Sequence, residues 1–478
     1  MSVSIVFVMA MFMAIMDITI VNVALPKLAS DFHVSPAHID SVVVGFLVSL
    51  AVFIPASGWL GDRFGTKRVF LAALLIFTGA SALCGLSQSE GQLVGFRILQ
   101  GVGGGMLTPV GMAMLFRTFP PAERVRASKI LVVPTAFAPA LGPVLGGVLV
   151  TDVSWRWVFY VNVPIGIIAF TFGALFLRDH REPDAGRFDY PGFLLAGAGF
   201  AALMYAVSEG ANRGWSSPSI VGLGLGGVVL LAALVRVELR TRQPMIELRL
   251  VSNRLFRATT VVLFIGTAAF LGVLYLVALF FQDGLGMSAL GSGLSTFPEA
   301  LGVMVGSQIV TRIYPHIGPR RVLAAGLVCV AGCIALMALV GFSTNLWLVR
   351  LIMFGLGLSM AHVFVPAQAA SFATISPQAT GRASTLFNAA RQLGSAAGVA
   401  GLSTVIAVIG IRHSVGGRLV PNLHAYHIAF LTAALVALVA AATALVIKDR
   451  DAISTMHPKF RERAEAESSE AVVPAAAG

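Results

Sequence analysis

Along this chain, runs of roughly 18 to 25 apolar residues alternate with short polar loops, and each run is long enough as a helix to cross the hydrocarbon core of a bilayer. The pattern predicts about fourteen membrane helices, at 2–24, 38–60, 69–86, 91–115, 128–150, 156–177, 191–209, 218–237, 258–282, 289–311, 321–342, 346–370, 383–409 and 425–447. The first run begins beside Met1 with no basic leader and no small-residue cleavage site, so it reads as a retained helix and not a signal peptide. The loops leave no room for a large soluble domain. The fold class expected is therefore an all-α polytopic membrane protein.

Composition agrees: the chain is 57% hydrophobic, 12% charged, and has a mean hydropathy of +0.87. Charge adds orientation. Of the 33 Lys and Arg residues, most fall in alternate loops and in the C-terminal tail. Lys27, Arg156, Arg213, Arg412 and Arg418 fall on the other side, and Arg97, Arg350 and Arg391 lie inside predicted helices. Because Lys and Arg are retained on the cytoplasmic side during insertion, both termini are expected to be cytoplasmic, in the inner (cytoplasmic) membrane. The net charge of +11 then reflects contact with anionic inner-leaflet lipid and not a nucleic-acid surface. No GxxxxGK[ST] phosphate loop is present, which argues against an ATP-driven pump. Cys84, Cys329 and Cys333 all fall in predicted helices without neighbouring His or carboxylates, a pattern that suits packing and not a metal site.

The loop GWLGDRFGTKRVF at 58–70 has a degenerate echo in GSQIVTRIYPHIGPRR at 306–321. Arg97 follows the first near the start of the fourth helix, and Arg350 follows the second near the start of the twelfth. The chain thus reads as two related halves, as in transporters that rock two bundles about a central site. The expected division is a six-helix bundle at 1–177, two extra helices with linkers at 178–257, a second six-helix bundle at 258–448, and a polar, disordered tail at 449–478.

Several motifs bear a family likeness. MDITIVNVALP at 16–26, the 58–70 loop, RILQGVGGGM at 97–106, GPVLGG at 142–147 and WRWVFYVNVPIG at 155–166 together resemble the major facilitator superfamily, in particular its fourteen-helix drug:proton antiporters. The resemblance spans nearly the whole chain. Thr66 stands where the family loop usually carries a basic residue, and Pro134 and Ala138 stand where the fifth-helix motif often has Gly. The resemblance implies a major facilitator fold of two six-helix bundles plus two additional central helices. It also implies proton transfer near Arg97, a gating loop built from Gly58, Asp62, Arg63, Gly65, Lys67 and Arg68, and an antiporter hinge at Gly142, Pro143, Gly146 and Gly147.

The residues themselves point the same way. An Asp inside a spanning helix costs about 2.5–3.5 kcal/mol on insertion scales, so Asp17 requires a water-lined cavity, a partner or a proton. At 1.5 Å per residue it lies roughly 10 Å from the outer end of its helix, with Arg97 at nearly the same depth. Asp17 is expected to carry the proton, with Arg97 adjusting it; the alternative is a fixed structural ion pair. Glu299, near the bilayer midplane, suits a cationic substrate or a second protonation site, and otherwise a structural role. Arg391, Gln392 and His362 are the other polar groups in the membrane, and His362 reads more readily as a hydrogen-bonded structural residue than as a relay. Arg350 either snorkels to the outer interface or repeats Arg97 as a vestige. In the 58–70 loop, retention of basic residues explains the cations but not an Asp in a Gly-spaced turn, which favours a charge lock.

The function expected is a secondary antiporter, not an enzyme, exporting amphipathic or cationic drugs and toxic compounds by alternating access. It needs no cofactor beyond protons as the coupling ion. An importer or exporter of an endogenous metabolite or lipid on the same fold is the alternative. Expected partners are small molecules and membrane lipids, with no nucleic acid, the chain acting as a monomer and a periplasmic adaptor left open.

Overall fold

A computed structural model describes residues 2–34, 39, 41–182, 186–241, 244–415 and 418–457. Fourteen long helices follow one another among them: α1 (Ser2–Phe32), α2 (Ser41–Phe64), α3 (Thr66–Leu86), α4 (Glu90–Thr118), α5 (Arg124–Val148), α6 (Asn162–Phe176), α7 (Tyr190–Arg213), α8 (Pro218–Arg240), α9 (Arg254–Leu279), α10 (Ala289–Ile317), α11 (Pro319–Met337), α12 (Leu346–Ser371), α13 (Thr380–Ile409) and α14 (Leu423–Ala444). A single turn at Trp157–Tyr160 precedes α6, and a two-stranded antiparallel hairpin, β1 (Arg412–Val415) and β2 (Arg418–Pro421), joins α13 to α14. Over the described residues, twelve helices are long and apolar enough to cross a membrane. This is an integral, multi-pass membrane protein.

Polar residues at the apolar boundaries start several of these helices. Ser89, Asp189, Asn253, Ser288 and Asn345 each accept a hydrogen bond from a backbone N–H in the first turn of α4, α7, α9, α10 and α12. Helix α1 continues through Pro26 to Phe32, beyond the end at residue 24 expected from hydropathy. Its last turns are polar but packed: Lys27 pairs with Asp31, and Asp31 also accepts from the Trp155 indole at 2.9 Å.

Packing repeats between the halves. In the first, α1 lies on α5 and α6, α2 on α4, and α3 on α4 and α6; in the second, α9 lies on α13 and α14, α10 on α12, and α11 on α12 and α14. The halves meet where α2 crosses α13 and where α5 crosses α10. Helix α7 rests against α2 and α13, and α8 rests on α7, so the added pair borders one side of this junction.

Two turns show the repeat at atomic level. Gly65, between α2 and α3, has φ 101°, and Gly318, between α10 and α11, has φ 87°, a region that side-chain-bearing residues rarely adopt. Asp179, after α6, accepts from Lys67 N at 3.1 Å, and Asp449, after α14, accepts from Arg320 N at 2.9 Å. Each half thus folds its last segment back to cap its third helix.

That contact corrects one boundary. The segment after Lys448 was expected to be a disordered tail, but Asp449–Thr455 forms a short 3-10 helix with Ala452 and Thr455 buried. Thr455 shares a hydrogen bond with the Tyr314 hydroxyl at 2.8 Å. Residues 458–478 lie outside the described residues.

Candidate functional site

Asp17 was expected to need a water-lined cavity, a partner or a proton, with Arg97 at nearly the same depth, and the structure supplies the partner. The two residues are in direct contact inside the first bundle, with relative exposures of 0% and 1%. Arg97 Nη1 donates to Asp17 Oδ2, while Asp17 Oδ1 accepts from Gln100 Nε2 and Asn162 Nδ2, both at 2.9 Å. Ser81 Oγ ties the two amides together, accepting from Gln100 at 3.2 Å and Asn162 at 3.1 Å, and donates to the Phe159 carbonyl at 3.0 Å. Arg97 also donates to Gln100 Oε1 and the Val42 carbonyl, and its guanidinium lies 4.1 Å from the Phe46 ring centroid. Four helices, α1, α3, α4 and α6, therefore hold one carboxylate and one guanidinium with almost every polar atom engaged. Such a network stabilises the ionised pair, since burying either charge alone would leave it uncompensated.

Helix α5 closes this cluster on the α1 side. A Cβ on Gly142 would strike the Thr19 side chain, and one on Gly146 would lie 3.0 Å from Ile20 Cγ1 and 3.2 Å from Val23 Cβ. Gly142 and Gly146, four apart, thus form one close-packing face, as small residues do between membrane helices. Gly147 points into open space. The Pro143 side chain lies outside the described residues. Beyond Val148 the helix loosens into a π turn at Leu149–Val153.

The second constellation stands at the end of the molecule that carries the α2–α3 turn, called here the basic end. The buried Asp62 does not pair with the cations of its own loop. Its Oδ1 accepts from Arg117 Nη2 at 2.8 Å, and Arg117 Nε reaches across the junction to the Pro377 carbonyl at 3.1 Å. A Cβ on Gly381, in the first turn of α13, would meet Asp62 Oδ1 at 2.8 Å, so the carboxylate faces the positive end of that helix. Gly58 presses on the same segment: a Cβ there would sit 2.5 Å from Thr385 Oγ1 and 3.1 Å from the Gly381 carbonyl. The loop cations act elsewhere. Lys67 Nζ donates to the Ala174 carbonyl at the end of α6, Arg68 pairs with Asp179 at 3.5 Å, and Arg63 is exposed.

Phe116 stacks on Phe372 with centroids 4.5 Å apart, Asn388 donates to Met112 Sδ, and Lys129 donates to Gln308. Among the described residues, the hydrogen bonds between α1–α6 and α9–α14 all lie toward this end. The halves are latched there.

Glu299 and Arg391 behave differently. They stand on α10 and α13, the helices that meet the first bundle, and neither side chain has a hydrogen-bond or ion-pair partner among the described residues. Gln392, beside Arg391, is half-buried. His362 stays within its own helix, its Nδ1–H donating to the Leu358 carbonyl at 2.8 Å, and its Cβ packs on Gly326 of α11. The Arg350 guanidinium lies 4.8 Å from the Trp347 ring centroid.

The sequence reading missed Ser81, Gln100, Arg117 and Asn162. Gln100 had a signal, since it lies one turn from Arg97 and shares its face. Asn162 is a polar residue in an apolar helix and had the same warrant as Asp17. Ser81 and Arg117 had none: a serine is common in such helices, and Arg117 looks like any basic residue at a loop.

The sequence pattern of the Major Facilitator Superfamily matches residues 7–399. The chain belongs to that superfamily. It is 33% identical over 409 residues to a putative multidrug resistance protein MdtD of Pectobacterium carotovorum, covering 85% of this chain and 87% of that protein. It is 32% identical to a multidrug resistance protein B homolog of Mycobacterium tuberculosis, covering 84% and 75%. In fold it resembles the human organic anion transporter MFSD10, with a TM-score of 0.66 over 93% of this chain and 99% of that one at 16% identity. This major facilitator protein is thus a transporter, and its two six-helix bundles with two added helices are the superfamily fold in a fourteen-helix form.

Proposed function

We propose that this transporter exports amphipathic or cationic small molecules across the cytoplasmic membrane in exchange for protons. The observation that carries the reading is the sealed Asp17 cluster: a buried carboxyl group in a membrane helix, held by Arg97, Gln100 and Asn162. Protonating Asp17 removes the charge that Arg97 compensates, so a proton arriving there weakens the cluster and frees α1 from α4 and α6. The relatives named as multidrug resistance proteins support export of such compounds.

On this reading the latched basic end is cytoplasmic, Asp62 and Arg117 lock the outward-facing state, and α13 is the gating helix they hold. Glu299, unpaired on α10, receives the cationic part of the substrate or a second proton. Each charge moved against the membrane potential is worth about 2.3 kcal/mol per 100 mV, so one or two protons support substantial accumulation.

The test is proton movement in proteoliposomes when lipophilic cations are added, comparing the unaltered protein with Asp17→Asn. Proton flow opposite to substrate, lost in the variant, is the expected result. Flow in the same direction would favour an importer, and retained coupling in Asp17→Asn would remove Asp17 from the mechanism.

A further inference from the structure

A second acidic site lies away from the Asp17 cluster, where the added helices reach the basic end. Asp189 caps α7, its Oδ1 accepting from Gly192 N at 2.9 Å, and Glu238 lies in the last turn of α8, its Oε1 accepting from Ile246 N at 3.2 Å. Their relative exposures are 8% and 1%. One oxygen of each, Asp189 Oδ2 and Glu238 Oε2, is buried with no partner. The two carboxyl groups converge on Gly192: a Cβ there would lie 2.5 Å from Asp189 Oδ2 and 2.8 Å from Glu238 Oε1. No Lys or Arg forms an ion pair with either group among the described residues, and Arg236 and Arg240 of α8 are exposed. Glu247, also in this linker, is itself held by Arg382 of α13 at 3.0 Å.

We propose that Asp189 and Glu238 bind one proton between them and so clasp α7 and α8 to the first turn of α13. Two carboxylates this close and this buried do not both ionise without a cation, because each raises the cost of the other's charge. A single proton taken from water and placed on Glu238 makes an O–H that donates to the Asp189 carboxylate and removes one of the two facing charges. Loss of that proton to water leaves two facing negative charges.

The consequence reaches the junction between the halves through the linker. Met245 and Ile246 are buried in an apolar cluster with Ala51, Ile54 and Ala56 of α2, Phe200 of α7 and Ala389 of α13. The Glu238 bond to Ile246 N fixes that wedge, and the next residue, Glu247, holds Arg382 beside the Gly381 contact with Asp62. With the proton bound, the linker is pinned; as pH rises and the proton leaves, repulsion between the carboxylates loosens it. This inference does not depend on Asp17 carrying protons.

The test uses the full-length protein in lipid. Infrared difference spectra of the unaltered protein at neutral pH should show a protonated-carboxyl C=O band that is lost in Glu238→Gln. Hydrogen exchange at the Met245, Ile246 and Glu247 amides, corrected for intrinsic rates, should slow as pH falls in the unaltered protein and be independent of pH in Glu238→Gln, which keeps an acceptor for Ile246. Gly192→Ala, which drives a methyl between the carboxyl groups, should abolish the same pH dependence without removing either. A band or a pH dependence that survives both substitutions would overturn the proposal. So would protection of these amides by Na⁺ or K⁺ at constant pH, which would mark a metal-cation site.

Discussion

In the first half Asp179 caps the turn at Gly65, and in the second Asp449 caps the turn at Gly318; the backbone plan is common, but the charges inside it are not. When the repeats are aligned on those glycines, Arg97 falls on Arg350, Asp17 on Phe270, Ser81 on Ile334 and Gln100 on Met353. Phe270, Ile334 and Met353 are buried apolar residues, so the second half has no acid to hold its arginine, which turns to Trp347 instead. Glu299 in turn falls on Phe46, the ring beneath Arg97. The first half seals an ion pair inside one bundle, whereas the second presents charges, unpaired among the described residues, on helices that border the other bundle. One duplicated scaffold can therefore separate a proton-handling core from a substrate-facing wall, which is the division of labour proposed here.

The largest expected effect that tests this contrast is on stability. Arg97→Met strands the buried Asp17 carboxylate and should cost about 3–5 kcal/mol, read as a lowered thermal unfolding midpoint in detergent. Arg350→Met should cost less than about 1 kcal/mol. Equal losses would mean that the halves do not differ as described.

Next comes the latch. Asp62→Asn keeps the shape but removes the charge that Arg117 and the start of α13 compensate, weakening the closed end by about 1.5–3 kcal/mol. A cysteine placed at Asn388 should then react faster with an impermeant maleimide supplied from the basic end. The matching position of the second half is Pro315, so no variant there should open the junction in the same way.

A smaller pair of effects should be equal. Asp179→Ala and Asp449→Ala each remove one cap and should each lower stability by about 0.5–2 kcal/mol in thermal scans. If only one mattered, the shared turn would be a coincidence of geometry. The smallest contrast lies on α5: Gly147→Ala should change stability by no more than about 0.5 kcal/mol, while Gly142→Ala must displace Thr19 of α1 and should be measurably worse.

Sequence alone was enough for the helices, because a bilayer demands long apolar runs with internally satisfied backbones, and that demand is written locally. It also singled out Asp17 and Arg97, since charges inside such runs are conspicuous, and it located the duplicated turns through their glycines. It did not reveal what those charges touch. Asp62 stands next to Arg63 in the chain yet binds Arg117 from another helix, and the cations of its own loop turn to α6 and Asp179. Ser81 and Asn162 join Asp17 only because α1, α3, α4 and α6 converge at one depth. The packing of Asp449–Thr455 was equally hidden, since its contact with Gly318 lies more than a hundred residues away in the chain. Composition and periodicity fix which residues cannot face lipid. Only the tertiary arrangement decides which partners relieve them, because that choice depends on helix contacts between residues remote in sequence.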